Sequence, residues 1–312
     1  MSPHQPNTSL DAIEDEIAQL EAELHAARIR LRDATTTNPK QQRQSPNGDD
    51  AATQLAALTI PPQVYSPTTS STHFLLLLSD SALPVGAFAF SSGLESFLAH
   101  APRGPSATFS AFLPLSLASF AATTLPFALA AHRDPSRLAS LDDQQDAAVV
   151  CTVGRRASTA QGRALLSVWE RSLRSASFFG DAVDALRDFS ALLRECGGGS
   201  TAVVDGLPPL ASGHYAPLFG AVCAAVGLSV RQAAYVFMLG HVKALVSAAV
   251  RASMFGPYQA QKVLAGAAVQ DMMNAVIERE WDTPVEEAGQ SVPVMDLWIG
   301  RHEVLYSRIF NS

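Results

Sequence analysis

Apolar residues first recur as a heptad. Leu10, Ile13, Ile17, Leu20, Leu24, Ala27 and Leu31 are separated alternately by three and four positions, with Glu, Gln and Arg elsewhere, the seam of an amphipathic helix. Thr8 or Ser9 can cap it, and Asp11 and Glu14 suit its first turn. It reads as a short coiled coil or partner-binding helix, or as a marginal helix in a flexible arm; the second reading is preferred, because short isolated helices are unstable in water. Residues 34–70, rich in Thr, Ser, Pro, Gln and Asn, read as a disordered linker. From His73 onward the spacing is helical. A short apolar run, Phe74–Leu78, meets a break where Pro84 fixes φ and Gly86 permits positive φ. A helix resumes around Ser91–Ala99, and further helices are predicted over 106–131, 143–176, 181–195, 214–226, 229–254 and 258–279. Gly197–Gly199 closes the 181–195 helix. Ser229, three residues before Gln232, can form a capping box. Only 292–299 leaves room for a strand. The fold class is all-α: a single helical bundle domain over residues 71–312, with a disordered or coiled-coil N-terminal arm over residues 1–70.

Composition sharpens this picture. Hydrophobic residues make up 47% of the 312 and charged residues only 16%, below the usual quarter. Helices buried on more than one face, or surface hidden in a complex, would account for the deficit. The net charge of −7 and the lack of a Lys/Arg-rich run argue against nucleic acid and anionic membrane surfaces as partners. The first 30 residues lack the order of a signal or transit peptide. Residues 104–131 carry no charge and are long enough to span a bilayer. They also hold Pro105, Pro114, Pro126 and seven Ser or Thr residues, so a buried core helix, or two short helices broken near a proline, is the better reading. The apolar run at 232–250 has His241 and Lys243 near its centre, where lipid exposure would be costly. Cys151, Cys196 and Cys223 are odd in number and far apart, and read as reduced thiols of a cytoplasmic protein.

Motifs that carry chemistry are scarce. The eight histidines, at 4, 25, 73, 100, 132, 214, 241 and 302, form no HxH, HxxxH or HExxH pattern, so no preformed metal site is expected. Gly197–Gly199 with Ser200 and Thr201 lacks the lysine of a phosphate loop and follows a helix. There is no nucleophile elbow, and nothing in the spacing of Ser, His and Asp assembles a triad. The adjacent acids Asp142-Asp143 and Glu286-Glu287 read as solvated caps or loop acids. Arg163, Arg171 and Arg174 fall near one face of the predicted 143–176 helix, either a solvated face or an interaction surface. No catalytic residue and no stably bound cofactor is assigned.

Three blocks resemble UreF-type urease accessory proteins, in a form like the eukaryotic members. Leu75–Glu95 holds an apolar helix, an Ala-Leu-Pro-Val-Gly turn (residues 82–86) and a Phe-Ser-Ser-Gly-Leu-Glu segment (residues 90–95). Ala157–Leu166 looks like the family's central Arg-bearing helix, with Gly162 and Leu165-Leu166. Arg301–Ser312 reads Arg-His-Glu, an aromatic, Arg, an apolar pair and Ser. A fourth block matches at Arg251, Gly256 and Gln261 and departs at Met254, Phe255 and Ala260. The resemblance covers about 73–312. It implies an all-α homodimeric nickel-insertion chaperone that catalyses nothing itself. The implied partners are a UreD/UreH-type accessory protein, a UreG-type GTPase and apo-urease, with nickel handled only transiently in the complex. Candidate partner-contact residues are Glu95, Arg163, Arg251, Gln261, Arg301, His302, Glu303, Tyr306 and Arg308. The terminus, if helical, would place Arg301, Leu305 and Arg308 on one face. The rival readings are a helical enzyme with a dispersed site and a helical or coiled-coil adaptor unrelated to urease.

Overall fold

An almost wholly apolar helix, Tyr215–Ala225, lies at the centre of the described domain, with nine of its eleven residues buried. A helix hydrophobic on every side needs cover on every side, and four longer helices supply it. The computed structural model describes residues 67–80, 83, 87–100, 108–177, 180–197 and 211–311; the heptad at 10–31, the linker up to residue 66 and the glycines at 198–199 lie outside them. Among the described residues there are eleven α-helices and no strand, so the chain is all-α. In chain order they are α1 (Pro67–Leu78), α2 (Leu94–His100), α3 (Phe109–Arg133), α4 (Leu138–Ala148), α5 (Thr152–Val168), α6 (Asp181–Gly197), α7 (Tyr215–Ala225), α8 (Val230–Arg251), α9 (Pro257–Ala265), α10 (Ala267–Glu280) and α11 (Pro293–Arg301).

The tightest approach is α3 against α7, with α5, α6 and α8 also on α7. Gly220 makes it possible: a Cβ there would lie 2.1 Å from the Ala128 carbonyl oxygen. Helix α3 runs unbroken through Pro114 and Pro126, with Thr108 accepting the Ala111 N–H as N-cap. Pro126 has no N–H for the Ala122 carbonyl, and that oxygen instead accepts the Gly289 N–H at 3.1 Å. Helices α3 and α8 are each long and apolar enough to cross a membrane by composition. Here they pack on each other in the core, with a buried polar contact between them, Ser116 Oγ to His241 Nε2 at 3.0 Å. The capping box expected at Ser229 and Gln232 is formed.

Several boundaries differ from expectation. The first helix starts at Pro67, inside the segment read as linker, with proline opening the helix. The 143–176 segment is two helices separated at Val149–Cys151. There Arg155 Nη2 donates to the carbonyls of Asp146 (2.7 Å) and Val149 (3.0 Å), closing the end of α4. Helix α5 then passes into a π-turn, Trp169–Leu173, and a 3₁₀ turn, Arg174–Ala176. The register that would align Arg163 with Arg171 and Arg174 is therefore lost. The 258–279 segment divides at Gly266, which is extended (φ −70°, ψ 136°) and caps both α9 and α10. The possible strand at 292–299 is α11, opened by Pro293 with Asp296 in its first turn.

Candidate interaction surface

The C-terminal segment is not a continuous helix. Helix α11 ends at Arg301, one 3₁₀ turn covers His302–Val304, and the chain then runs irregularly to Asn311. The expected face of Arg301, Leu305 and Arg308 does not form, because main-chain donors here bond to other elements. Glu95, second residue of α2, is the hub. Its Oε2 accepts from His302 Nε2 (2.8 Å) and the Phe310 N–H (3.2 Å), and its Oε1 accepts from the Ile309 N–H (2.6 Å). The Asn311 N–H donates to the Ala89 carbonyl at 2.7 Å. Bonds to an ionised acceptor are stronger than neutral ones, and this group is sheltered: the His302 side chain is fully buried and that of Glu95 is 12% exposed. Phe310 is buried beneath Arg251, whose guanidinium lies 4.4 Å from its ring and 5.7 Å from that of Phe88.

Around this anchored main chain the remaining side chains face solvent. Tyr306 is fully exposed, and Val304, Ile309 and, on α11, Leu297 are largely so. Arg301 and Arg308 are exposed beside them. Glu303 pairs with Arg156 of α5, and the hydrogen bond from Arg156 holds its carboxyl below the usual carboxylate range. Both partners are well exposed, so solvent screens this pair and it contributes little to stability. The nine candidate residues thus divide. Glu95 and His302 point inward and hold the terminus, and Arg251, itself exposed, covers Phe310. Arg301, Glu303, Tyr306 and Arg308 surround it on the surface. Arg163 and Gln261 are exposed elsewhere, on α5 and α9, and Arg163 Nε donates to the Ser212 carbonyl at 2.9 Å.

A second polar cluster was not expected. Asp142, read above as a solvated acid, is fully buried. It accepts the N–H groups of Ser212 (2.6 Å), Gly213 (3.0 Å) and His214 (2.5 Å). Three successive N–H groups converge on one carboxylate because Gly213 takes φ +82°, a region costly for other residues. His214, also fully buried, donates from Nε2 to Asp146 (2.9 Å) and meets Ser158 Oγ through Nδ1 (3.0 Å). Ser158 Oγ in turn accepts the Tyr215 N–H at 3.2 Å. Spacing gave no hint of this Ser158–His214–Asp146 chain, yet the fold assembles it; its visible effect is to fasten the start of α7 to α4 and α5. One signal was available: Leu138, Leu141, Asp142 and Gln145 form a buried stripe on α4, so Asp142 occupies an inward helical position.

Among the described residues no group of three or more His, Cys, Asp and Glu side chains is placed to hold a metal ion. The cysteines are unpaired, Cys223 in the core and the others partly covered; burial pushes the Cys223 thiol well up.

The chain matches the UreF family model over residues 105–268. It is 36% identical over 243 residues to a protein of Schizosaccharomyces pombe described as an uncharacterized urease accessory protein UreF-like, covering 78% of this chain and 98% of that one. It is 33% identical over 236 residues to urease accessory protein F of Oryza sativa subsp. japonica, covering 75% and 82%. It is 29% identical over 247 residues to urease accessory protein UreF of Paenarthrobacter aurescens, covering 78% and 100%. The family model includes the block at 157–166; the block at 75–95 and the terminal block lie outside it.

Proposed function

This chain belongs to the UreF family, whose role lies in urease maturation, and we propose that it serves there as a non-catalytic scaffold joining a UreD/UreH-type accessory protein to a UreG-type GTPase. In this reading nickel is cargo that passes toward apo-urease within the assembled complex, and the chain acts as a homodimer in the cytoplasm. The observation that carries the reading is the terminal segment. Glu95 and Arg251 hold its main chain and Phe310 in place, while Tyr306, Ile309 and Arg308 stand in solvent. A surface held in shape before a partner arrives loses little conformational freedom on binding, and Tyr and Arg are the side chains most often dominant at interfaces. Arg301, Glu303, Tyr306 and Arg308 are the proposed contacts with the UreD/UreH-type protein. Exposed Arg163 and Gln261 are proposed contacts elsewhere in the same assembly.

Metal analysis of urease from a strain lacking this protein tests the role. Urease polypeptide present at its usual level but poor in nickel is expected; urease with its full nickel content and activity would overturn the proposal.

A further inference from the structure

The terminus gathers arginines on an acidic chain. The whole chain carries a net charge of −7. Around the anchored segment, however, Arg156, Arg251, Arg301 and Arg308 all reach the surface, and Glu303 is the only acid within residues 297–311. Arg156 pairs with Glu303, and Arg308 stands near enough to the same carboxylate to help lower its pKa. Arg251 lies across the rings of Phe310 and Phe88.

The other three arginines lack such a partner. Among the described residues no carboxylate lies within ion-pair distance of Arg251, Arg301 or Arg308. Elsewhere on the domain the exposed Arg187, Arg194 and Arg231 each have one. Interleaved with Arg301 and Arg308 along the chain are Val304, Tyr306 and Ile309, all largely exposed. Arginine suits a carboxylate partner better than lysine does, because its planar fork binds both oxygens and sheds water more readily.

We propose that the face this terminus meets is acidic around an apolar centre: carboxylates of the partner reach Arg251, Arg301 and Arg308, while Tyr306 and Ile309 enter apolar surface between them. This rests on the terminal segment being the recognition surface for the UreD/UreH-type protein, and it specifies the chemistry of the face presented to it. An acidic face is repelled by most of a chain of this charge and attracted here, so charge selects the docking side before contact. An anionic bilayer fits less well. Glu303 sits among the arginines, leaving a surplus of three, below the roughly four to eight cations of segments that bind anionic lipid.

The test is the association rate of the purified UreD/UreH-type protein with the full-length chain. Raising NaCl from about 50 mM to about 500 mM shortens the screening length from roughly 14 Å to roughly 4 Å, and the rate should fall about tenfold. Arg301→Glu and Arg308→Glu should each slow association at low salt by about threefold or more and have little effect at high salt. Both side chains are exposed, so both variants should keep the native melting point. Arg171→Glu makes the same charge change at an exposed site on the π-turn after α5, about 20 Å along the helix from Arg156, and should change the rate by less than about twofold. A rate indifferent to salt and to both reversals, with Tyr306→Ala still binding weakly, overturns the acidic face and leaves the recognition surface standing. Native affinity in Tyr306→Ala and Arg308→Ala alike removes the recognition surface, and this inference with it. Equal slowing by Arg171→Glu would make net charge the cause and overturn the proposal. So would sedimentation with phosphatidylserine vesicles that Arg308→Glu abolishes, if binding to the protein partner ignores salt.

Discussion

Glu95 and His302 lie 207 residues apart in sequence and 2.8 Å apart in space, and their contact joins the two ends of the described domain. The same carboxylate takes the main-chain N–H groups of Ile309 and Phe310, so one side chain orders the last turn of the molecule. The residues that seat the terminus and those that surround it on the surface have separable roles, and substitutions should separate them.

Replacing Glu95 with Gln keeps the size and removes the charge. The new amide offers one acceptor where three donors converged, and it turns an N–H group toward another donor. A loss of about 2–3 kcal/mol is expected, or roughly 5–10 °C in melting point for a domain of this size. Hydrogen exchange at residues 305–311 should rise in the same variant. An unchanged melting point with unchanged exchange would show that Glu95 does not hold the terminus.

Glycine-to-alanine changes should act with opposite signs at two helical positions. Helix propensity alone favours alanine by about 1 kcal/mol. At Gly240 of α8 nothing lies within 4 Å of an added Cβ, so Gly240→Ala should stabilise by up to that amount. At Gly220 the added carbon would meet the Ala128 carbonyl oxygen at 2.1 Å, and α3 would have to move away from α7. Gly220→Ala should destabilise by about 2 kcal/mol or more. Denaturant unfolding of the two variants checks the signs; stabilisation by both would mean that α3 and α7 do not approach as described.

Stability should fall on acidification through His241. Burial lowers its pKa in the folded protein to about 3, from 6.5. Between those values the unfolded chain binds a proton that the folded one does not, so stability rises with pH across that window and is fully present above it. The slope reaches about 1.4 kcal/mol per pH unit for one such group. His132, also lowered mainly by burial, adds to it. Denaturant melts from pH 7 to pH 4.5 on the native protein and on His241→Gln check this: the variant should show a shallower dependence. Identical slopes would place the acid sensitivity elsewhere.

Local signals in the chain were readable where a structural rule acts over a few residues. Ser229 and Gln232 announce the start of α8, and the charge-free stretch containing Pro114 and Pro126 announces a core helix. Its continuity through both prolines was not legible, since the carbonyl left by Pro126 finds its donor at Gly289, far along the chain. The gap at Val149–Cys151 likewise depends on Arg155 folding back over the end of α4. Glu95 and His302 could both be singled out by resemblance, but no periodicity pairs residues so distant, and the terminus was read as a possible helix for that reason. Asp142 beside Asp143 looked like an ordinary surface acid. Only the three N–H groups around Gly213 explain why one of the two is buried.

The central claim is that the exposed side chains at the anchored terminus are the recognition surface for the UreD/UreH-type partner. Binding of that purified partner to the native protein, Tyr306→Ala and Arg308→Ala tests it most directly. Tyr306 is fully exposed and Arg308 is exposed, so both variants should keep the native helical signal and melting point. Loss of a dominant interface side chain costs about 2 kcal/mol or more, and each variant should therefore bind roughly 30-fold more weakly. Native affinity in both variants, with the fold intact, would contradict the account.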